Sequence, residues 1–531
     1  MASNADLIVS MLRRGGIPLG FGIPSGNVLP LMEAMRAGGM QFVLTAHEGS
    51  AAFAASVLGR MTGRPGLCIA THGPGATNLT TGVGCAFLDR SPLIAITCNV
   101  PVAQLGRRVQ MHIDHHELMH PITKATMALR PGRIALTVAD AIHLALSEPQ
   151  GPVHLDLPED VALAPATEAD CAIAPPRPRA AASDGALRQA ASLIARARRP
   201  IAVIGAGATA LDGGGDQLRR FVERFAMPFA TTAMAKGMID DDHPLSLGCI
   251  ERARRQVQRA FLRRADLIVG IGYDTAEVEY EAWIGGVPLV HVGIERADTD
   301  GSVRIAAEAV GDLGRSLAVL AAGEGGNDWR ADELAAHRAQ FQAALRPPTN
   351  RFAPHQAIDV VRSVLPREGI LAFDVGAHTH QIASQWPAHA AKKFLVTNNW
   401  SSMGYGIPAA IAAKLARPDL AVVAIVGDAC FQMTCGEVAV ARRLGLALPI
   451  VVLDDNWLAL IKVKQERRAY PYFGTALDAA PPPSHYFGVP AVAVANAAAL
   501  EDALRRALAN AGPTVIEAMV DAAHYSETVY D

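Results

Sequence analysis

The sequence predicts an α/β chain of doubly wound parallel sheets, and three stretches carry that prediction. In the last third, an apolar run over residues 422–426 ends in Gly427-Asp428. A helical pattern follows from about 431 to 444, and a second apolar run over 450–453 ends in Asp454-Asp455-Asn456-Trp457. Strand, helix and strand make a βαβ unit, whose strands are parallel and whose carboxyl ends meet at one rim of the sheet. The first third repeats the alternation of apolar runs with helical patterns. The middle third holds apolar runs at 200–205, 265–270 and 288–292.

In chain order, residues 5–14 read as a helix and 19–23 as a short strand. Pro24-Ser25-Gly26-Asn27 then turns the chain into a helix over 28–37. Residues 41–45 are a strand, and His47-Glu48-Gly49-Ser50 leads into an Ala-rich helix over 51–60. Residues 66–71 are a strand, followed by His72-Gly73-Pro74-Gly75-Ala76-Thr77-Asn78, a helix to about residue 86, and a strand over 93–99. Glu48 and His72 each follow a strand's carboxyl end, so they share the rim where such sheets bind ligands. Residues 110–124 hold His112, His115, His116 and His120. Their spacing matches no metal pattern, and a polar loop near a site mouth is the preferred reading over a metal site.

Residues 160–179 are rich in Ala and Pro and read as a linker. Gly205-Ala206-Gly207-Ala208 does not complete Gly-x-Gly-x-x-Gly, so a tight strand–helix turn is preferred over a dinucleotide site. Residues 328–345 read as a helix that Pro347-Pro348 ends. A strand over 369–373 then leads into Asp374-Val375-Gly376-Ala377-His378, and Ser401-Ser402-Met403-Gly404-Tyr405-Gly406 precedes another Ala-rich helix. The expected division is 1–165, 185–330 and 350–531.

At 531 residues, half of them apolar and 19% charged, the chain can bury several full cores. A formal charge of −3 gives no case for nucleic acid or an anionic membrane surface. The seven cysteines lack metal-ligand spacing and suit a reducing compartment. Asp6 and Arg13-Arg14 precede any long apolar run, so the expectation is a cytoplasmic protein without a membrane span.

Asp428 and Asp455 stand 27 residues apart at two strand ends beside a helix start. Hard oxygen ligands suit Mg²⁺ or Ca²⁺, and a helix start attracts phosphate oxygens. A lone Asp at a strand end caps a turn just as readily.

Gly-Asp-x, with Asn or Asp about 27 residues on after an apolar strand, resembles the cofactor motif of thiamine diphosphate enzymes. That motif usually reads Gly-Asp-Gly and ends in Asn-Asn; here Ala429 and Asp454-Asp455 replace its last residues. The strand, His47-Glu48, the Ala-rich helix and Gly73-Pro74-Gly75-Ala76-Thr77-Asn78 resemble the pyrimidine-binding domain of the acetolactate synthase-like members. Asp89-Arg90-Ser91-Pro92 and Pro121-Ile122-Thr123-Lys124 continue the match. The resemblance implies three doubly wound domains: pyrimidine-binding, central and diphosphate-binding. It implies Mg²⁺ held by Asp428, Asp455 and the backbone carbonyl of Trp457. It implies that Glu48 engages N1′ of the aminopyrimidine, so that the cofactor's 4′-imino group takes the proton from C2 of its thiazolium ring.

His72 stands where relatives carry a small residue; it either faces C2 as a proton relay or donates to a neighbouring carbonyl. Gln110 aligns with an active-site Gln of benzaldehyde lyase-like members. Pro24, Gly75 and Asn78 are expected on the pyrimidine side. Val375, Ala377 and His378 are expected at the diphosphate, with Gly427, Ala429 and Cys430 around the metal ligand. Met403 would prop the cofactor in a V shape, and Leu458 and Ala459 would cover the thiazolium. Residues 479–483 and the tail after His524 would shape access.

The implied activity is a carboligase on a 2-oxo acid, resembling acetolactate synthase. The alternative is a decarboxylase or lyase acting on a 2-oxo acid, aldehyde or 2-hydroxy ketone, resembling benzoylformate decarboxylase or benzaldehyde lyase. A non-catalytic cofactor-binding paralogue is a reading from a different class. Tyr273-Asp274 resembles the flavin-free synthases. The missing arginine there, and Lys464 where biosynthetic relatives carry Trp, argue against FAD. Glu48 and the metal ligands lie on different domains that in this family meet across a subunit boundary, which implies a homodimer or homotetramer.

Overall fold

The computed structural model describes residues 2–211, 213, 215–477 and 480–530. Three parallel-dominated sheets follow one another along the chain. The first contains β1 (Leu19–Gly22), β2 (Gln41–Leu44), β3 (Gly66–Thr71), β4 (Leu93–Asn99), β5 (Ala125–Ala128) and β6 (Pro152–Pro158), in the order β2-β1-β3-β4-β6-β5. The second contains β7 (Pro200–Ile204), β8 (Phe229–Thr231), β9 (Ser246–Cys249), β10 (Leu267–Ile271), β11 (Leu289–Gly293) and β12 (Ile305–Val310), in the order β12-β11-β10-β7-β8-β9. The third contains β13 (Ile370–Phe373), β14 (Phe394–Leu395), β15 (Val422–Gly427), β16 (Pro449–Asp454), β17 (His485–Tyr486), β18 (Val489–Val494) and β19 (Thr514–Met519). Its order is β14-β13-β15-β16-β19-β18-β17, and only the β17–β18 hairpin at its edge is antiparallel.

These strands read as continuous apolar runs because helices cover both faces of each sheet; β3, β4, β7, β10, β15 and β16 are buried along their whole length. Strand order reverses between β1 and β3, between β7 and β10, and between β13 and β15. Such switch points open a crevice at the strands' carboxyl ends. The loops that follow β13 and β15 therefore flank one crevice, and they carry His378 and Asp428.

The helices Glu48–Thr62 and Gly406–Ala416 join the first and third sheets in one core. Alanines at 51, 52, 54 and 55 on one and at 409, 410, 412 and 413 on the other let the backbones approach. The first of these helices begins at Glu48, three residues before the expected start, because His47 caps it by accepting the Gly49 N–H at 2.9 Å. The helix expected over 431–444 is two, Asp428–Thr434 and Glu437–Arg443. Around Cys435-Gly436 the bonding tightens to i−3: Val438 donates to the Cys435 carbonyl and Ala439 to that of Gly436. The expected linker at 160–179 begins inside the short helix Glu159–Leu163. Ala479 lies outside the described residues. No helix among the described residues is long and apolar enough to cross a membrane.

Burial holds three imidazoles well below their ordinary value, His154 to about 3 and His337 and His378 to about 4. Unfolded, each takes a proton near pH 6.5. Between that pH and the lower folded value the unfolded state binds more protons, so their contribution to stability is complete above pH 6.5 and is lost as pH falls. Each adds about 1.4 kcal/mol per pH unit in that window. Raised carboxyls such as Glu437 and Glu277 pull the other way as pH falls, so a difference between two proteins isolates one ring. From pH 7 to pH 5 the parent should lose stability relative to His337→Gln, which cannot titrate; parallel pH profiles in the two proteins would contradict the assignment of His337.

Candidate active site

At the first rim, Glu48 opens its helix and is 7% exposed. Its Oε2 accepts the Asn78 amide N–H at 3.0 Å. A Cβ on Gly75 would stand 3.4 Å from Glu48 Oε1 and 2.9 Å from Thr71 Cγ2, so glycine there keeps the space beside the carboxyl free. The turn before Glu48 is held from the third sheet's side: Glu437 Oε1 accepts the N–H groups of Ala46 at 3.0 Å and His47 at 3.2 Å. Burial pushes Glu437 up to about 7, although Ser50 and these N–H groups pull the other way. Sequence reading missed Glu437; its signal is a carboxylate inside the otherwise apolar buried face of Val438, Val440 and Ala441.

His72 is half-buried, with Nδ1 2.6 Å from Asn27 Nδ2, which in turn donates to the Cys98 carbonyl at 2.6 Å. Its ring also bonds the Gln110 backbone, and burial, with His115 nearby, lowers its pKa. The Gln110 contact is of the kind that one of the two roles expected for His72 calls for. Pro24 and the Gln110 side chain are exposed on the same rim.

At the third sheet, Asp374 is fully buried and ties two loops together. It accepts N–H groups from Val375 at 2.8 Å, Gly404 at 2.8 Å and Gly406 at 2.9 Å. Met403 sits inside this clamp and packs on the shared core. The helix Ala377–Gln385 starts at Gly376, where a Cβ would meet the His378 ring at 2.8 Å; one on Gly427 would meet it at 3.0 Å. The buried ring thus lies between two helix starts, and its Nε2 has no partner among the described residues. Cys430 is a thiol, raised well above its ordinary value by burial, and it donates to the Val375 carbonyl at 3.1 Å.

Asp428 Oδ2 accepts the Asn456 N–H at 2.7 Å, and its Oδ1 takes that of Ala429 at 2.7 Å. Asp455 Oδ1 accepts the Trp457 N–H at 2.9 Å. Asn456 has φ +61°, a left-handed turn that Asn tolerates and that redirects the chain between Asp455 and Trp457. Burial raises both Asp428 and Asp454, and their mutual charge adds to the rise at Asp428. Asp455 is pushed up to about 8 by burial and by Asp428. Leu458 donates to the Thr475 carbonyl at 2.8 Å, and Lys462 lies 4.3 Å from the Trp457 ring centre. Ala459 and Ala377 pack in one small core under Tyr525 and Val529 of the tail.

Three family models match in chain order. They are the thiamine pyrophosphate enzyme N-terminal TPP binding domain over residues 3–118, the central domain over 187–320, and the C-terminal TPP binding domain over 374–518. Over its full length the chain is 30% identical to the acetolactate synthase isozyme 1 large subunit of Escherichia coli, covering 99% of this chain and 95% of that one. The chain belongs to the thiamine pyrophosphate enzyme family. It is also 31% identical to an acetolactate synthase large subunit of Corynebacterium glutamicum, over 87% of this chain and 76% of that one. It is 30% identical to the chloroplastic acetolactate synthase 1 of Zea mays, over 97% and 85%. It is an acetolactate synthase-like, thiamine pyrophosphate-dependent carboligase.

The residues present fit that cofactor. The orphaned His378 Nε2 sits beside the start of the Ala377–Gln385 helix, where a phosphate oxygen would satisfy it. Carboxylates crowded enough to raise one another's pKa suit a divalent cation. The thiamine pyrophosphate enzyme also has a cavity of about 370 Å³ at the second sheet's switch point, beside Gly207, Thr209 and Asp274. Arg90 spans its wall by pairing with Asp274 at 3.0 Å and Glu295 at 2.8 Å. Tyr273 also borders it, and its hydroxyl donates to the Val278 carbonyl at 2.6 Å.

Proposed function

We propose that this enzyme joins two 2-oxo acid molecules of the pyruvate class with loss of carbon dioxide, as the names of its acetolactate synthase relatives suggest. The observation that carries the reading is Glu48, held by Asn78 beside Gly75 on a chain similar to those synthases from end to end. When bound, thiamine diphosphate supplies a thiazolium carbon that adds to a carbonyl and accepts the electron pair left by carbon dioxide. Glu48 would hold a proton at the aminopyrimidine N1′, and it is kept in place by Asn78 and by the preceding turn that Glu437 holds. Asp428, Asp455 and the Trp457 carbonyl would hold Mg²⁺. Val375, Ala377 and His378, with Gly427, Ala429 and Cys430, would take the diphosphate, and Met403 would support the cofactor. Leu458 and Ala459 would cover the thiazolium side and Pro24 the pyrimidine side, while Gln110 lines the substrate's approach.

Glu48 belongs to the 1–165 domain and the metal ligands to the 350–531 domain. In the family that this chain resembles, these domains meet across a subunit boundary, so the active unit is read as a homodimer or a homotetramer, with each site shared between two subunits. Exposed Met433 on the helix that starts at Asp428, and exposed Leu29 and Leu44 at the first rim, support a partner there. A cytoplasmic location and the absence of nucleic-acid and membrane partners complete the reading.

Incubation with pyruvate, thiamine diphosphate and Mg²⁺ tests it. Acetolactate is the expected product. Free acetaldehyde would instead assign a decarboxylase, and turnover of benzoylformate, benzoin or oxalyl-CoA alone would assign a relative of another specificity. Absence of any cofactor signal in calorimetry or circular dichroism would leave only a non-catalytic paralogue.

A further inference from the structure

The histidine-rich segment has no part in the mechanism above, yet it is fastened to the first sheet at three points. His112 Nδ1 lies 3.2 Å from Asn99 Oδ1, while its Nε2 accepts the Gly106 N–H at 3.1 Å. His116 Nδ1 lies 2.9 Å from Thr126 Oγ1. His115 is 1% exposed, with Nδ1 2.8 Å from Thr97 Oγ1 and 3.1 Å from Asp156 Oδ1. Asp156, itself 3% exposed, is held in turn by the Asn99 amide at 3.0 and 3.2 Å.

The other nitrogen of His115 reaches the active-site rim: Nε2 accepts the Gly73 N–H at 3.4 Å. Because that nitrogen accepts, the ring proton sits on Nδ1, facing Asp156 and Thr97. Gly73 has φ +60°, and a Cβ on it would stand 2.1 Å from the Met111 carbonyl oxygen. The His72-Gly73 turn and the Gln110-Met111 backbone are thus in direct contact, and His72 bonds the Gln110 backbone.

We propose that Asp156 and His115 are positioning residues: a buried carboxylate–imidazole pair that sets, through the Gly73 N–H and the touching Gln110-Met111 backbone, where His72 and Gln110 stand relative to the substrate carbonyl. This rests on the reading that Gln110 lines the substrate's approach, with the His72 ring bonded to its backbone. Its consequence is discrimination between substrates, with no effect on cofactor binding, because neither residue contacts the groups that hold the cofactor. His115, His154 and Asp156 also have ligand atoms within 4.8 Å of one another. Thr97 Oγ1 stands 2.8 and 2.7 Å from nitrogens of the two imidazoles and bonds both, which ties the cluster together by hydrogen bonds, while His154 Nδ1 has no partner among the described residues.

The test uses the full chain with thiamine diphosphate and Mg²⁺, and compares Asp156→Asn, His115→Leu and His115→Asn with the parent. The first two should raise KM for the 2-oxo acid by roughly 10- to 100-fold, the cost of a lost charge-assisted bond. They should also change the ratio of ligated product to aldehyde while cofactor affinity by calorimetry stays within about twofold. His115→Asn, which keeps a donor toward Asp156, should recover most of the KM. Unchanged KM, or cofactor affinity falling in parallel, would overturn the proposal. Hydrogen exchange over residues 105–120 decides the positional part without substrate: faster exchange in Asp156→Asn and His115→Leu supports it, and parent-like protection overturns it. If the parent turns over no 2-oxo acid, the proposed function fails and the exchange result still stands. A stoichiometric transition metal retained by the parent and lost from His115→Leu would also overturn the proposal.

Discussion

Glu48→Gln should lower turnover by about 10²–10⁴-fold, the usual worth of a positioned acid–base group, while thiamine diphosphate remains bound. Gln keeps the length of the side chain and an oxygen for the Asn78 amide, which lies 3.0 Å from Glu48 Oε2. It also leaves undisturbed the Ala46 and His47 N–H groups that Glu437 accepts. What it removes is the proton that a carboxyl shares with a ring nitrogen. The expected signature is therefore a collapse of kcat with a near-parent cofactor titration. Turnover at the parental rate would mean that no carboxylic acid is needed at this position, and the assignment of the first rim would fail with it.

Asp428→Ala should act on binding instead. The substitution takes away a charged ligand and the nearer acceptor of the Asn456 N–H, 2.7 Å away at Asp428 Oδ2, leaving it only Asp454 Oδ1 at 3.2 Å. Losing one partner of a buried charge-assisted contact costs about 2–5 kcal/mol. At about 1.4 kcal/mol per factor of ten, affinity for thiamine diphosphate with Mg²⁺ should fall by roughly 30- to 3,000-fold. Asp455→Asn restores the residue usual in the family at that position. It removes one of the charges crowded beside Asp428 and should change affinity by less than about tenfold. Calorimetry of the two variants, with EDTA-treated parent re-supplied with Mg²⁺, checks the pair. Equal affinities in Asp428→Ala and the parent would remove the metal from the account.

Much of this site is legible in the order of residues because its parts are local. Asp428 and Asp455 lie at the ends of β15 and β16, two buried parallel neighbours in register from Ala424 with Ile450 to Gly427 with Leu453. An apolar run ending in Gly-Asp marks such an end without reference to anything distant. The same holds for Glu48 after β2 and His72 after β3. What local pattern does not carry is the set of contacts between remote segments. Glu437 reaches back to Ala46 and His47, some 390 residues earlier. Asp374 is a strand end like any other until the folded chain brings Gly404 and Gly406 onto its carboxylate. His115 reads as one of four loop histidines, and only packing puts it against Asp156. The tight turn that splits the helix after Asp428 also escapes periodicity, since Cys435-Gly436 keeps near-helical torsions while its bonds shorten to i−3.

The sequence by itself determined that strands and helices alternate, that the central strands are parallel and buried, and which side chains stand at their carboxyl ends. Those properties follow from apolar periodicity, chain length between strands and the handedness of the crossover, all local. The tertiary structure alone decided strand order, and with it the switch points that put the loops of His378 and Asp428 on one crevice. It also decided the docking of the Glu48–Thr62 helix on Gly406–Ala416 and the buried partners of Glu437, Asp374 and His115. These depend on which apolar faces bury one another across hundreds of residues, a balance set by total buried area and close packing that no short window of sequence contains.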